Sequence, residues 1–142
     1  MWTRIIGQVK VLNAYRLVFE NGTEVNLLWN MSAPDLEQQG QIGDAFYAAG
    51  KEAAEFLRKL IGDQTVTFIG RPEDKGGQAN AGACFIGEMS LEIEMVRNGW
   101  AISDHEAMDP WEIIARENKR GLWRGGFVPP KRWRKGERLP GE

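Results

Sequence analysis

The amino-acid sequence predicts a mainly β fold with added α-helices, a five-stranded Greek-key barrel that carries three helices. Two observations support this prediction. Short segments rich in β-branched and aromatic residues recur between turn signals, and a long amphipathic helical segment is inserted among them. A length of 142 residues suits one domain with one hydrophobic core.

Three strands are predicted near the N-terminus. Residues 3–12 and 15–20 place β-branched and aromatic side chains on near-alternate positions, as strands do. Asn21-Gly22 follows, and because both residues tolerate a positive φ, the pair strongly indicates a hairpin. The third strand returns over residues 23–29.

A loop and a helix come next. Pro34 and the surrounding Gln and Gly residues indicate a loop over residues 30–43. Residues 45–61 are predicted to form a helix because their apolar side chains fall on one stripe and their charged side chains lie away from it. Gly62 is placed to end that helix.

Two further strands are predicted after this helix. They cover residues 64–69 and 83–86, and a loop with four glycines over residues 70–82 joins them. Cys84 lies in the second of these strands. As the single cysteine it has no disulfide partner, and we expect a small buried core residue.

Two more helices complete the predicted domain. Residues 90–98 form the first, and Gly99 ends it. Asp109-Pro110 starts the second, with Asp109 as the cap and Pro110 in the first helical position, and this helix runs to about Arg120.

The order of three strands, helix, two strands and two helices is compatible with a small Greek-key barrel of the OB kind. Several other α+β arrangements use the same parts. After Trp123 the composition changes to Gly, Pro, Arg and Trp. We therefore expect a domain over residues 1–123 and a basic tail over residues 124–142 that packs on the barrel as irregular structure and frays near its end.

The net charge of −2 hides an asymmetry along the chain. Residues 1–118 carry 10 basic and 18 acidic side chains, whereas residues 119–138 carry 8 basic side chains and a single acidic one. The body should repel phosphate weakly, and the tail should attract it.

Several kinds of protein are disfavoured by the composition. No apolar run is long enough for a membrane span, and the N-terminus lacks the apolar stretch of a secretory signal. We therefore expect a cytoplasmic protein with no membrane partner. The single histidine, His105, lies in an acidic loop without a nucleophile motif, which favours a surface residue over a catalytic base.

Two C-terminal segments carry a family resemblance. Residues 95–101 (MVRNGWA) and 115–123 (ARENKRGLW) resemble the C-terminal half of the staphylococcal nuclease (thermonuclease)-like family. The extension over residues 127–135 resembles tails of bacterial members of the family. A degenerate form of the family's loop after the third strand is also recognisable in Ser32-Ala33-Pro34-Asp35 with Gln38. The resemblance covers nearly the whole chain and implies an OB-fold barrel.

The resemblance also implies which residues would perform catalysis. Nucleases of this family hold a calcium ion with two aspartates, position water with a glutamate, and bind the phosphate with two arginines. Here the first aspartate cluster falls on residues 12–15, which contain no carboxylate, and the second metal aspartate falls on Ser32. The glutamate falls on Asp35, which keeps a carboxylate on a side chain one methylene shorter.

Both phosphate-binding arginines are missing at the corresponding places. The first falls on Asn26 or Leu27, and the second falls near Asn80 or Ala81. Calcium prefers hard oxygen ligands, and a guanidinium stabilises the charge on phosphoryl oxygens. The resemblance therefore implies a divergent member that lacks the catalytic residues, a pseudoenzyme with no catalytic residue, no metal site and no cofactor.

The main hypothesis is a catalytically inactive OB-fold module that works by binding single-stranded nucleic acid or a protein partner. The nucleic-acid candidates are Lys131, Arg132, Trp133, Arg134 and Lys135, an aromatic residue among four cations. In the alternative interpretation of this segment, the tryptophan packs on the body and the cations neutralise its acidic surface.

Two other functions stay open at this point. One is a divergent calcium-dependent nuclease that uses Asp35 and carboxylates not placed by the resemblance. The other is a structural subunit. The barrel face on which OB folds commonly bind oligonucleotides has Arg16 as its single cation in the second and third strands. A protein partner therefore has to be considered beside single-stranded nucleic acid.

Overall fold

A bend near Gln8 divides the first predicted strand into two. The computed structural model describes residues 2–71 and 80–142. The first four strands are β1 (Thr3–Gly7), β2 (Val9–Asn13), β3 (Arg16–Phe19) and β4 (Glu24–Leu27). These bounds confirm the three predicted N-terminal strands, with the first of them bent.

The predicted hairpin at Asn21-Gly22 joins β3 to β4. The Phe19 amide donates to the Thr23 carbonyl at 2.9 Å, and the Gly22 amide donates to the Phe19 carbonyl at 2.9 Å. Gly22 has a φ of 88°, in the region where a residue without Cβ avoids a steric penalty. The connection therefore uses three residues, Glu20 to Gly22, and Arg16 pairs with Asn26 across the strands.

The loop predicted over residues 30–43 contains short strands. The elements of this region are β5 (Met31–Ser32), β6 (Gly40–Ile42), β7 (Ala45–Tyr47) and α1 (Ala49–Ile61). The predicted start of the helix at residue 45 is wrong because residues 45–47 pair with β6 instead. Gly40 permits this pairing, since a Cβ there would lie 2.6 Å from the Tyr47 ring.

The remaining strands and helices follow in the predicted order. They are β8 (Val66–Gly70), β9 (Asn80–Ile86), β10 (Met89–Ser90), α2 (Leu91–Arg97), β11 (Ile102–Ser103) and α3 (Asp109–Glu117). The fifth barrel strand starts at Asn80, earlier than predicted. Most of the glycine-rich loop predicted over residues 70–82 lies outside the described residues.

Asp109 does not cap α3 as predicted. The N-cap position belongs to Met108, and Asp109 lies inside the first turn. The Asp109 carboxylate instead accepts a hydrogen bond from the Ser103 hydroxyl at 2.7 Å, which ties the start of α3 to β11.

The sheet order is β1-β8-β9-β4-β3-β2. Both ends of this order belong to the bent first strand, so the path of paired strands starts and finishes on one segment of the chain. β4 and β9 are parallel, and the other pairs along this path are antiparallel. This is a Greek-key β barrel of the OB kind with helices packed around it, as the sequence predicts.

The barrel interior and the inner faces of the helices form the core. Its largest fully buried side chains include Phe68, Leu17, Leu27, Leu57 and Met95. Cys84 is also fully buried, which confirms the prediction of a core residue. His105 is exposed, as predicted for a surface residue. In the described part of the chain, no helix is both long and apolar enough to span a bilayer.

The tail is more ordered than predicted. After a 3-10 turn at Gly121–Arg124, the helix α4 covers Pro130–Arg134. The predicted fraying of the end is wrong, because the Glu142 side chain accepts hydrogen bonds from the Gln39 amide at 2.9 Å and the Trp133 indole nitrogen at 2.8 Å.

Candidate functional site

One of the family positions, Asn26, lies on β4 beside a cation of β3. Asn26 is buried on β4, and its Oδ1 accepts a hydrogen bond from Arg16 Nε at 3.0 Å. Arg16 and Asn26 are cross-strand partners on antiparallel strands, so their side chains share one face of the barrel. A guanidinium thus reaches the position where the resemblance predicts a lost arginine.

Asp35 is held by an aromatic hydroxyl and a cation. The Tyr15 hydroxyl donates to Asp35 Oδ1 at 2.6 Å, and Arg134 lies 3.3 Å from the same carboxylate. Arg134 also donates to the Ala33 carbonyl, and its guanidinium carbon lies 4.8 Å from the centre of the Tyr15 ring. The tail therefore closes over the loop that carries Asp35.

Burial and the neighbouring carboxylate act together on Tyr15. Burial raises the pKa of the Tyr15 hydroxyl, and the hydrogen bond to Asp35 raises this pKa further. The positive charges of Arg134 and Arg16 oppose these effects. At neutral pH Tyr15 is therefore protonated and donates its hydroxyl hydrogen to Asp35.

Ser32 lies in β5, which pairs with β11. Its hydroxyl is buried and has no hydrogen-bond partner among the described residues. Ser32 therefore sits near the Asp35 loop without joining the contacts of Arg134 and Tyr15.

The groups around Asp35 do not suit a calcium ion. Calcium takes six to eight oxygen ligands, several of them carboxylates. Within the described ranges, no group of three or more His, Cys, Asp or Glu side chains is close enough to hold a metal. The Asp35 carboxylate already faces a guanidinium, which would repel a divalent cation.

A second carboxylate, Glu92 on α2, is buried away from this cleft and is 1% exposed. Its two oxygens accept from the Cys84 amide at 3.1 and 3.0 Å. Burial raises the pKa of Glu92 to about 8. Glu92 also raises the pKa of the Cys84 thiol, although burial contributes most of that increase.

Three of the five candidate nucleic-acid residues in the tail form ion pairs with carboxylates of the same chain. Lys131 pairs with Asp104 at 2.8 Å, and Arg132 forms an ion pair with Glu137. Arg134 is directed to the Asp35 loop as described above. The contacts of Lys131 and Arg134 join the tail to acidic groups of the body, whereas the Arg132 contact lies within the tail.

The other two candidates are Trp133 and Lys135. Trp133 donates its indole N–H to Glu142, and the Arg138 guanidinium lies 3.8 Å from the centre of its ring. Lys135 is exposed. The four cations of the segment, Lys131, Arg132, Arg134 and Lys135, are exposed, and Trp133 is half-buried between them.

Sequence reasoning did not assign a role to Tyr15, and it considered Arg16 as a cation of the oligonucleotide-binding face and not as a partner of Asn26. A signal for Arg16 was present, because the hairpin at Asn21-Gly22 brings β3 beside β4. It also missed an apolar groove of about 470 Å³ on the outer face of the barrel, where Trp2 and Trp29 meet. Trp29 and Trp111 could not be distinguished from core residues by their spacing.

The fold and cleft define a β-barrel protein of the nuclease-homologue class. A family model described as Staphylococcal nuclease homologue matches residues 26–125. The chain therefore belongs to the staphylococcal nuclease homologue family. A search of curated proteins found no match.

Proposed function

We propose that this chain is a catalytically inactive member of its family that works by binding. The contact of Arg134 with Asp35 carries the proposal. Asp35 is the one carboxylate retained at the family's catalytic positions, and the protein's own guanidinium and the Tyr15 hydroxyl occupy its oxygens.

The chemistry of phosphodiester hydrolysis supports this proposal. The family reaction needs carboxylates that hold a metal and guanidinium groups that are free to take the phosphate. Arg134 is directed at Asp35 and the Ala33 carbonyl, and Arg16 at Asn26. Loss of one charge-stabilising donor raises a barrier by about 2.7–4 kcal/mol, by analogy with oxyanion-hole deletions.

A hydrolysis assay tests the proposed inactivity. The full-length protein is incubated with calcium and single-stranded DNA or RNA, beside a mock purification that reveals contaminating nuclease. We expect no turnover above the mock sample. Turnover that Asp35→Asn abolishes would establish the divergent nuclease instead.

The charges of the chain favour a protein over nucleic acid as the binding partner. The body is acidic, and Lys131, Arg132 and Arg134 pair with carboxylates of the same chain. A phosphate backbone would have to displace these carboxylates. An exposed apolar groove, in contrast, is typical of a protein-binding surface.

Salt-dependent titration separates the two partner classes. A labelled single-stranded oligonucleotide is titrated with the wild type and with a variant carrying Lys131→Ala, Arg132→Ala and Lys135→Ala. The control carries Lys51→Ala and Lys59→Ala on the exposed side of α1. We expect weak binding with the same salt slope in all three proteins.

A nucleic-acid site on the tail would instead change the salt dependence of binding. Each phosphate contact contributes about −0.7 to the slope of log K against log salt for single strands. A slope reduced by about 2 in the tail variant alone would show a nucleic-acid site on the tail.

A further inference from the structure

The apolar groove is separate from the cleft around Asp35, and none of its lining residues belongs to that cleft. It runs between the outer face of β8 and β9 and the segment that leads into α3. Its apolar lining includes Trp2, Trp29, Ile69, Phe85, Ile93 and Trp111. Its volume of about 470 Å³ can accept large side chains from another surface.

The rim of the groove consists of large apolar side chains that are partly exposed to solvent. Trp2 is 59% exposed, Trp29 48% and Ile69 40%. The two indole rings meet edge to face with centres 6.3 Å apart, forming a ridge beside the groove. Contiguous exposed patches of this kind mark interaction surfaces, and tryptophan is enriched in them.

The charges around the groove are mixed in sign. Arg4 is the cross-strand partner of Ile69, and Arg71 follows Ile69 by two residues. Glu106 precedes the lining residue Ala107, and Glu88 lies in the turn before β10. All four side chains are exposed, and none forms an ion pair within the described ranges.

We propose that this groove is the contact face of a homodimer with two-fold symmetry. A two-fold interface places the same patch on both subunits, so the patch must complement itself. This patch offers a ridge and a groove, a border at Ile69 with Arg4 across the sheet from it, and a border at Ala107 with Glu106 next to it in the sequence. A two-fold axis can set the first border of one copy against the second border of the other.

The mixed charges argue against other occupants. A nucleic-acid strand would meet Glu88 and Glu106 as well as Arg4 and Arg71. A strongly acidic or basic protein would be repelled along one border. The proposal does not depend on catalytic inactivity, and the oligomeric state can be measured without any activity assay.

Molar-mass measurement tests the apolar part of the interface. Sedimentation equilibrium at increasing concentration compares the wild type with Ile69→Ser and Trp29→Ser. Ile42→Ser is the matched control, because Ile42 is also 40% exposed but does not line the groove. We expect a wild-type dimer, an unchanged control, and at least tenfold weaker dimerisation of the groove variants, with circular dichroism showing retained folding.

A charge exchange tests the symmetry. One variant carries Arg4→Glu with Arg71→Glu, and a second carries Glu88→Lys with Glu106→Lys. Each alone should be monomeric, because like charges then meet across the two-fold axis. An equimolar mixture should form a heterodimer, because its borders are again complementary.

Three results would overturn the proposal. They are a wild type that stays monomeric at high concentration, a dimer that the groove variants leave unchanged, and a mixture that stays monomeric. Tryptophan quenching by an oligonucleotide that depends on Trp29 would assign the groove to nucleic acid instead.

Discussion

At the scale of single residues, the contacts of Asp35 decide how the cleft is interpreted. The resemblance places Asp35 at the position of the family's glutamate, where a carboxyl group is retained. The Asp35 carboxyl group accepts a hydrogen bond from the Tyr15 hydroxyl and forms an ion pair with Arg134. The Arg134 side chain that contacts Asp35 lies 99 positions away in the sequence.

The buried carboxylate of Glu92 should make stability depend on pH. Its pKa is raised from the ordinary value of 4.5 to about 8 in the folded protein. Between these values the unfolded chain is ionised while the folded chain keeps the proton, so the free energy of unfolding falls as pH rises. The slope is about 1.4 kcal/mol per pH unit.

Urea denaturation between pH 4 and 9 measures this slope. Glu92→Gln should flatten the profile between pH 4.5 and 8 and should be more stable than the wild type above it. Glu94→Gln on the same helix serves as the control and should retain the slope. An unchanged profile for Glu92→Gln would assign the pH dependence to other groups.

At the scale of elements, α1 shows how packing overrides a local rule. Gly50 lies in the first turn of α1, where alanine normally stabilises a helix. A Cβ on Gly50 would lie 1.7 Å from the Asp35 carbonyl oxygen. The helix can approach the Asp35 loop this closely because position 50 has no side chain.

Gly50→Ala should therefore destabilise the protein in spite of its helix propensity. We expect a loss of about 1–3 kcal/mol in the free energy of unfolding, the usual range for overpacking. Gly126→Ala is the control, since the nearest atom to a Cβ there is 3.9 Å away. Chemical denaturation measures the free energy of unfolding of both variants. Unchanged stability of Gly50→Ala would show that the Asp35 loop moves to make room for the added methyl group.

At the scale of the whole molecule, the tail acts as part of the folded domain. Gln38 is buried and its Nε2 donates to the Val128 carbonyl. Gln41 and Gly126 exchange backbone hydrogen bonds at 2.8 Å. Removal of the tail would expose these groups and the Asp35 loop together.

Truncation after Arg124 should lower the melting temperature, because it removes these hydrogen bonds and leaves Gln38 without its partner. Differential scanning calorimetry measures the change. Truncation after Gly136 retains the contacts of Val128 and Arg134 and should have a smaller effect. Equal melting temperatures for wild type and the longer deletion would show that the tail contributes nothing to stability.

Local patterns in the sequence sufficed for the barrel strands and the three main helices. Their causes are local, since strand alternation, helix periodicity and turn residues act within a few positions. The start of α1 escaped this reasoning because Ala45–Tyr47 directly precedes the helical stretch in the sequence but is paired with Gly40–Ile42.

The tertiary structure alone decided how distant groups meet. The three-residue hairpin loop pairs Arg16 with Asn26, and a shift of one residue would place Arg16 opposite another side chain. The contact of Arg134 with Asp35 and the Trp2–Trp29 ridge join segments with no shared local pattern. The sequence determined which groups the protein possesses, and chain folding determined their partners, because charge and apolar contacts depend on distance in space.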